Sequence, residues 1–184
     1  MTRTPRTAAC ACLCLALLPL AGCQSDVVVS PPEEQATVYH AEPLGSFVHM
    51  NQPDAVRYFV SGIQGLEANT WRWAGREAVL RFQLQDTSNL QFVVRFAVPR
   101  EVIARNGPVR LTTSFNGKIW KGFGYAKDGI YEIAEPAPAR LLKPSAENRV
   151  SIAIDKPLPP DHGGPEQGFI LVYAGFRAGQ GRQL

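Results

Sequence analysis

Three observations predict an all-β fold for this 184-residue chain, an antiparallel sandwich or jelly roll of about eight or nine strands. Apolar residues alternate with polar ones from about Val56 to Arg177. Turn-forming dipeptides interrupt that alternation at short intervals. Helical periodicity is nearly absent.

The strands follow in order. Ala78, Leu80, Phe82 and Leu84 alternate with Val79, Arg81, Gln83 and Gln85. After Asp86-Thr87-Ser88-Asn89, the residues Leu90, Phe92, Val94, Phe96 and Val98 alternate with Gln91, Val93, Arg95 and Ala97. The pair reads as a hairpin with one buried and one wetter face. Pro99 to Arg105 predicts one or two helical turns, opened by the proline and closed by Asn106-Gly107. Val109, Leu111, Thr113 and Phe115 lead into Asn116-Gly117, a strong hairpin-turn dipeptide. Gly129 to Ala134 and Arg149 to Asp155 are further short strands. Gln167 to Arg177, "QGFILVYAGFR", is so apolar that it predicts a central strand covered on both faces.

The N-terminus carries a different pattern. Arg3 and Arg6 precede an apolar run from Ala8 to Leu20, too short to span a bilayer comfortably, so a secretory signal is expected. The run ends in Leu20-Ala21-Gly22-Cys23, which resembles the bacterial lipobox, L-[AS]-[GA]-C. The resemblance implies lipid on the Cys23 sulfur, cleavage before Cys23 and acylation of the new N-terminus. Several acyl chains anchor stably where one is marginal. Gln24, rather than an aspartate, follows the cysteine, which favours the outer membrane of a Gram-negative envelope; periplasmic and surface faces both stay open.

The expected organisation is therefore a signal peptide over 1–22, a lipidated cysteine and tether over 23–45, a β-sandwich over 46–178 and a disordered tail over 179–184. The tether holds "SPPEEQ" and "AEPLGS" and reaches at most about 70 Å when extended. All four cysteines lie in the first 23 residues, which excludes a disulfide or thiolate-metal framework in the folded part. Of 19 basic residues two belong to the leader, leaving 17 against 16 acidic ones. A nearly neutral mature chain makes no electrostatic case for nucleic acid.

From Tyr58 to Phe176 the order of short motifs resembles the galactose-binding-like β-sandwich domains appended to bacterial glycosyltransferases and envelope proteins. The matching residues are Gly65-Leu66-Glu67, Trp71-Arg72-Trp73, Ala78-x-Leu80-x-Phe82, Asn116-Gly117, Asn148-x-Val150-x-Ile152 and Gly168-Phe169-x-Leu171. Ala74 stands where that pattern has a threonine. The resemblance implies the sandwich fold; it transfers no ligand site.

Candidate sites divide by chemistry. Trp71 and Trp73 share one face of a strand and Arg72 the other. Two coplanar indoles would make a platform for sugar rings, but two indoles packed in the core are the favoured expectation. Glu67, Trp71, Arg72 and Trp73 are thus read as markers of the fold, with Glu67 and Arg72 as a partly buried ion pair. The preferred ligand candidates are Trp120, Lys121, Phe123, Tyr125 and Asp128, where glycines permit close approach and aromatics suit a carbohydrate. A glycine-bent strand whose aromatics cover the sandwich edge is the competing reading. Asp161-His162 with Glu166 does not amount to a metal site. No serine has a nucleophile-elbow context, the carboxylates are dispersed, and no cofactor is expected.

Function is accordingly expected to be non-catalytic: a membrane-anchored envelope lipoprotein binding glycan or another envelope component. A structural or assembly lipoprotein with a protein partner, and a glycan-acting enzyme, remain the alternatives. Labelled palmitate should enter the wild-type chain and not Cys23→Ala, which should also leave the membrane fraction; equal labelling of both would remove the anchor.

Overall fold

The computed structural model describes residues 43–160 and 163–179. Among them, no helix is long and apolar enough to cross a membrane. Nine antiparallel strands form the domain: β1 (Phe47–His49), β2 (Phe59–Glu67), β3 (Trp71–Leu84), β4 (Leu90–Val98), β5 (Val109–Phe115), β6 (Lys118–Tyr125), β7 (Gly129–Pro136), β8 (Ala146–Ile154) and β9 (Phe169–Ala178). The helix α1 (Arg100–Asn106) sits between β4 and β5, with Pro99 at its N-cap and Gly107, at φ 70°, at its C-cap. Cys23 and the leader, most of the tether, Asp161, His162 and most of the C-terminal tail lie outside the described residues.

The hydrogen-bonded order is β6-β5-β8-β3-β9-β4-β7, with β1 added to β9 and β2 to β3. β3 serves two partners in succession. Arg72–Ala74 pair with Phe169–Leu171 of β9, and Glu77–Leu84 pair with Ala146–Ala153 of β8. One long strand therefore joins two layers, and the sheet folds over at that join. Rings from the two layers meet between them: Phe92 with Phe115 at 5.4 Å, Phe82 with Phe176 at 5.7 Å, and Phe96 with Tyr125 at 5.3 Å. Six fully buried phenylalanines fill this core, each worth roughly 1.5–3 kcal/mol of apolar burial.

Several expectations need correction. β3 and β4 do not form a hairpin: β3 pairs with β2, β8 and β9, whereas β4 pairs with β7 and β9. Their connection is an arch between layers, because the apolar faces of both strands are buried only if the layers oppose each other. β9 is central in hydrogen bonding, yet Ile170, Val172 and Tyr173 on its outer side remain partly exposed. A bulge there sets Arg95 opposite Tyr173 and Phe96 opposite Leu171, so the inward phase moves from Phe169 and Leu171 to Ala174 and Phe176. Arg72 does not pair with Glu67, which is exposed beside the β2–β3 turn. Its guanidinium instead donates from Nε to the Met50 carbonyl at 3.0 Å and from Nη1 to the Gln64 carbonyl at 3.2 Å, above the Phe59 ring. Carbonyls satisfy those donors without adding a second buried charge.

The Asn116-Gly117 turn is present, with φ of 51° and 79° as a two-residue hairpin loop requires. It is locked by Asn148, which is fully buried on β8. The Asn148 amide oxygen accepts from the Lys143 N–H at 2.7 Å and from Asn116 Nδ2 at 3.0 Å; its Nδ2 donates to the carbonyls of Lys143 and Ala146. Asn148→Ala strands these partners and should cost about 2–4 kcal/mol. Urea unfolding would read this as a lower midpoint at unchanged slope; a loss under about 0.5 kcal/mol would dismiss the role.

Candidate functional site

The segment preferred in the sequence lies in β6 and the turn after it. β6 pairs only with β5, and a register shift falls at Trp120. Trp120 packs on Phe115 at 5.0 Å between centroids and on Phe92 at 6.1 Å, while Tyr125 meets Phe96. Phe123 is likewise partly buried against the core. Lys121 Nζ is 3.0 Å from Glu135 on β7 and also lies over the Phe123 ring. Tyr125 and Tyr131 rings stand 4.4 Å apart. The two terminal strands of the sheet, β6 and β7, thus meet through side chains rather than hydrogen bonds. The aromatics cover the edge of the sandwich, and only Lys121 and Asp128 of the five residues are exposed.

Trp71 and Trp73 occupy neither place expected for them. Ala74, Ala78, Leu80, Phe82 and Leu84 of β3 face the core, so the odd-numbered tryptophans project from the opposite, outer face. Both are partly buried there. Their rings meet edge to face, 5.9 Å apart at 83°, so they present no common plane. Trp71 lines an open pocket of about 410 Å³ with Thr70, Arg95, Ala97, Ile130, Ile170 and Val172. The size suits a small ligand or one unit of a chain. Ile130 is 66% exposed, a large apolar side chain held in water.

Beside this pocket the outer face turns polar and aromatic. The Tyr173 hydroxyl donates to Glu132 Oε2 at 2.5 Å, and Arg95 Nη1 lies 4.0 Å from the same oxygen. Tyr173, Phe47 and His49 pack their rings 5.3–5.5 Å apart. The Arg177 guanidinium lies 4.1 Å above the Phe47 ring and 5.7 Å from that of Tyr173. Burial and the Glu132 carboxylate raise the Tyr173 pKa above its ordinary value. The outer side of β3 and β8 differs. There Arg81 and Arg149 flank Glu147, and Ser151 donates to Glu77, giving a charged, solvated surface.

This face has no signature in the sequence because its residues come from β3, β4, β7 and β9, which are remote in the chain. One signal points to it: Trp71 and Trp73 fall in the phase opposite to Ala78, Leu80 and Phe82. Glu166 forms an ion pair with Arg76 at 3.3 Å. Among the described residues no group of three or more His, Cys, Asp or Glu side chains could hold a metal.

No family model matches the chain, and no curated protein matches it. Among solved structures it is similar to the CBM35 module of Abf62 from Cellvibrio japonicus, at 11% identity over 73% of this chain and 96% of that one, with a TM-score of 0.33. It is also similar to the GH115 4-O-methyl-α-glucuronidase BtGH115A, at 11% identity over 76% of this chain, with a TM-score of 0.45. A third is the exo-β-1,3-galactanase from Phanerochaete chrysosporium, at 11% identity over 73% of this chain and a TM-score of 0.37. This chain spans 18% of the glucuronidase and 29% of the galactanase. The class defined by the strand pairing is an antiparallel β-sandwich.

Burial, then the neighbouring Tyr131, pushes the Tyr125 pKa from 10.0 up to about 12. The folded state holds this proton more tightly than the unfolded state does. Its contribution to stability is therefore complete below pH 10 and is lost as pH rises through about 12. Thermal unfolding should show a fall across that window that is smaller in Tyr125→Phe; identical profiles would mean the seam does not hold the phenol neutral.

Proposed function

We propose that the chain is a non-catalytic, lipid-anchored envelope protein whose sandwich binds a glycan on the outer face of β3, β4, β7 and β9. The observation that carries this reading is the Trp71 pocket: an exposed apolar hollow bordered by Arg95 and, beyond it, the Tyr173–Glu132 pair. A sugar ring has an apolar face and an equatorial rim of hydroxyls. An indole with apolar neighbours takes the first, and a fixed carboxylate, guanidinium and phenol take the second. A contiguous apolar surface beside polar groups is a recognition feature more often than scattered exposed residues are.

A binding role is also supported by the engagement of the carboxylates. Glu77 accepts from Ser151, Glu132 from Tyr173, Glu135 holds Lys121 and Glu166 holds Arg76. The anchoring part of the reading is supported by the resemblance of Leu20-Ala21-Gly22-Cys23 to a lipobox.

The test is binding of the full-length chain, in detergent, to envelope polysaccharides. Trp71→Ala and Ile130→Ser should each weaken the dissociation constant by about tenfold or more, a loss near 1.4 kcal/mol. Ile130 is exposed enough that its change should leave the fold intact. Binding unaltered by both substitutions would move the site elsewhere, and recovery of one protein partner in stoichiometric amount without glycan binding would replace the reading.

A further inference from the structure

The glycan-binding reading leaves the chemistry of the sugar open, and the charges on the outer face narrow it. Four ionisable side chains stand around the Tyr173 ring: Arg95, Glu132, His49 and Arg177. The one carboxylate accepts the Tyr173 hydroxyl at 2.5 Å and reaches Arg95 only at 4.0 Å. Arg177 has aromatic partners, and among the described residues no carboxylate lies within ion-pair distance of it. A guanidinium held over aromatic rings by cation–π attraction can still offer N–H donors to an anion.

The other layer makes the contrast. On the outer side of β3 and β8 two carboxylates, Glu147 and Glu77, stand with the two cations Arg81 and Arg149, and near the β3 corner Arg76 is matched by Glu166. On the aromatic face, by contrast, two cations, Arg95 and Arg177, stand with the one carboxylate Glu132. The Arg177 guanidinium is held in advance by Phe47 and Tyr173, which reduces the rotamer entropy lost on binding. Arg95 pairs with Tyr173, and Arg177 lies opposite Gln91, four residues back along β4. The two backbone positions are thus about 13 Å apart along the strand, while both guanidiniums stand beside the Tyr173 ring.

We propose that the ligand is an acidic polysaccharide, a chain of sugars bearing carboxylates, lying along β4 and β9. One ring rests against Trp71 and Ile130, a carboxylate pairs with the Arg95 guanidinium, and a second carboxylate farther along the chain pairs with Arg177. Bidentate guanidinium–carboxylate geometry supplies the discrimination between acid and neutral sugar. This rests on the glycan-binding reading of the same face.

The experiment titrates the full-length chain in detergent at 0.15 M salt, where loose polyanion attraction is screened over about 8 Å. The probes are polygalacturonate and alginate, each beside its fully methyl-esterified form, so that backbone is kept and charge removed. The acids should bind at least tenfold tighter than their esters. Arg177→Gln should erase most of that preference while leaving ester binding unchanged, Arg95→Gln should erase it and also weaken the ester, and Ile130→Ser should weaken acid and ester alike. Arg149→Gln, on the other layer, should change nothing. Equal affinity for acids and esters would overturn the acidic ligand and leave the glycan reading standing. An equal loss in Arg149→Gln would also overturn it, since the attraction would then be to net charge. No binding to any of the polymers would overturn both.

Discussion

The domain depends on one strand belonging to two layers. β3 bonds first to β9 and then to β8, and the change of partner falls between Ala74 and Glu77. At that point the start of β9 crosses so closely that a Cβ on Gly168 would stand 2.4 Å from the Gly75 carbonyl oxygen and 2.7 Å from Ile154 Cγ2. Only a residue without a side chain lets the Gly168 N–H reach the Ala74 carbonyl, as it does at 2.8 Å. Without that crossing the β9–β4–β7 layer loses its hydrogen-bonded link to β8 and β5 through β3, and chain connections alone would hold it over them. The phenylalanines of the two layers would then have no common interior.

The same corner separates the roles of the two outer faces. Before it, β3 presents Trp71 and Trp73 to the β9 side; after it, β3 presents Glu77, Val79 and Arg81 to the β8 side. The outer face is thus aromatic on one layer and charged on the other, and the buried phase of Ala74 resumes at Ala78 and Leu80 after the exposed Arg76 at the corner. The β9 bulge completes the arrangement by turning Tyr173 outward while keeping Ala174 and Phe176 inward. β1 is admitted beside it because Gly175 takes a φ of 151°, and a side chain there would strike the Ser46 carbonyl. Phe47 and His49 reach Tyr173 for that reason. The first strand, β1, therefore contributes to the aromatic outer face.

Most strands are legible in the alternation of the chain. Ala78 to Leu84 and Val109 to Phe115 bury the residues their alternation marks, Leu90 to Val98 does so except that Leu90 is partly buried and Val93 is also buried, and Asn116-Gly117 makes the turn it signals. β1 and β2 are not legible, since a three-residue strand has no period and β2 is broken by register shifts against β3. The candidate site is less legible than the fold. Trp120, Phe123 and Tyr125 have a composition that suits a ligand, but composition does not say whether an aromatic ring meets a sugar or another ring. The Arg72 partners are hidden for a related reason, because carbonyl acceptors are present at every residue and leave no mark in the sequence.

By itself, then, the sequence determined the all-β class, the phase of most strands, the hairpin at Asn116-Gly117 and the expectation of an anchor at Cys23. These are local properties, carried by spacing along the chain. The tertiary structure alone decided that β3 and β4 part into opposite layers, that Arg72 bonds to carbonyls, and that Trp71 meets Arg95, Ile130 and Ile170. Period two states that a strand has two faces. Which remote strand covers each face is settled by packing, and the exposed face is whatever packing leaves uncovered.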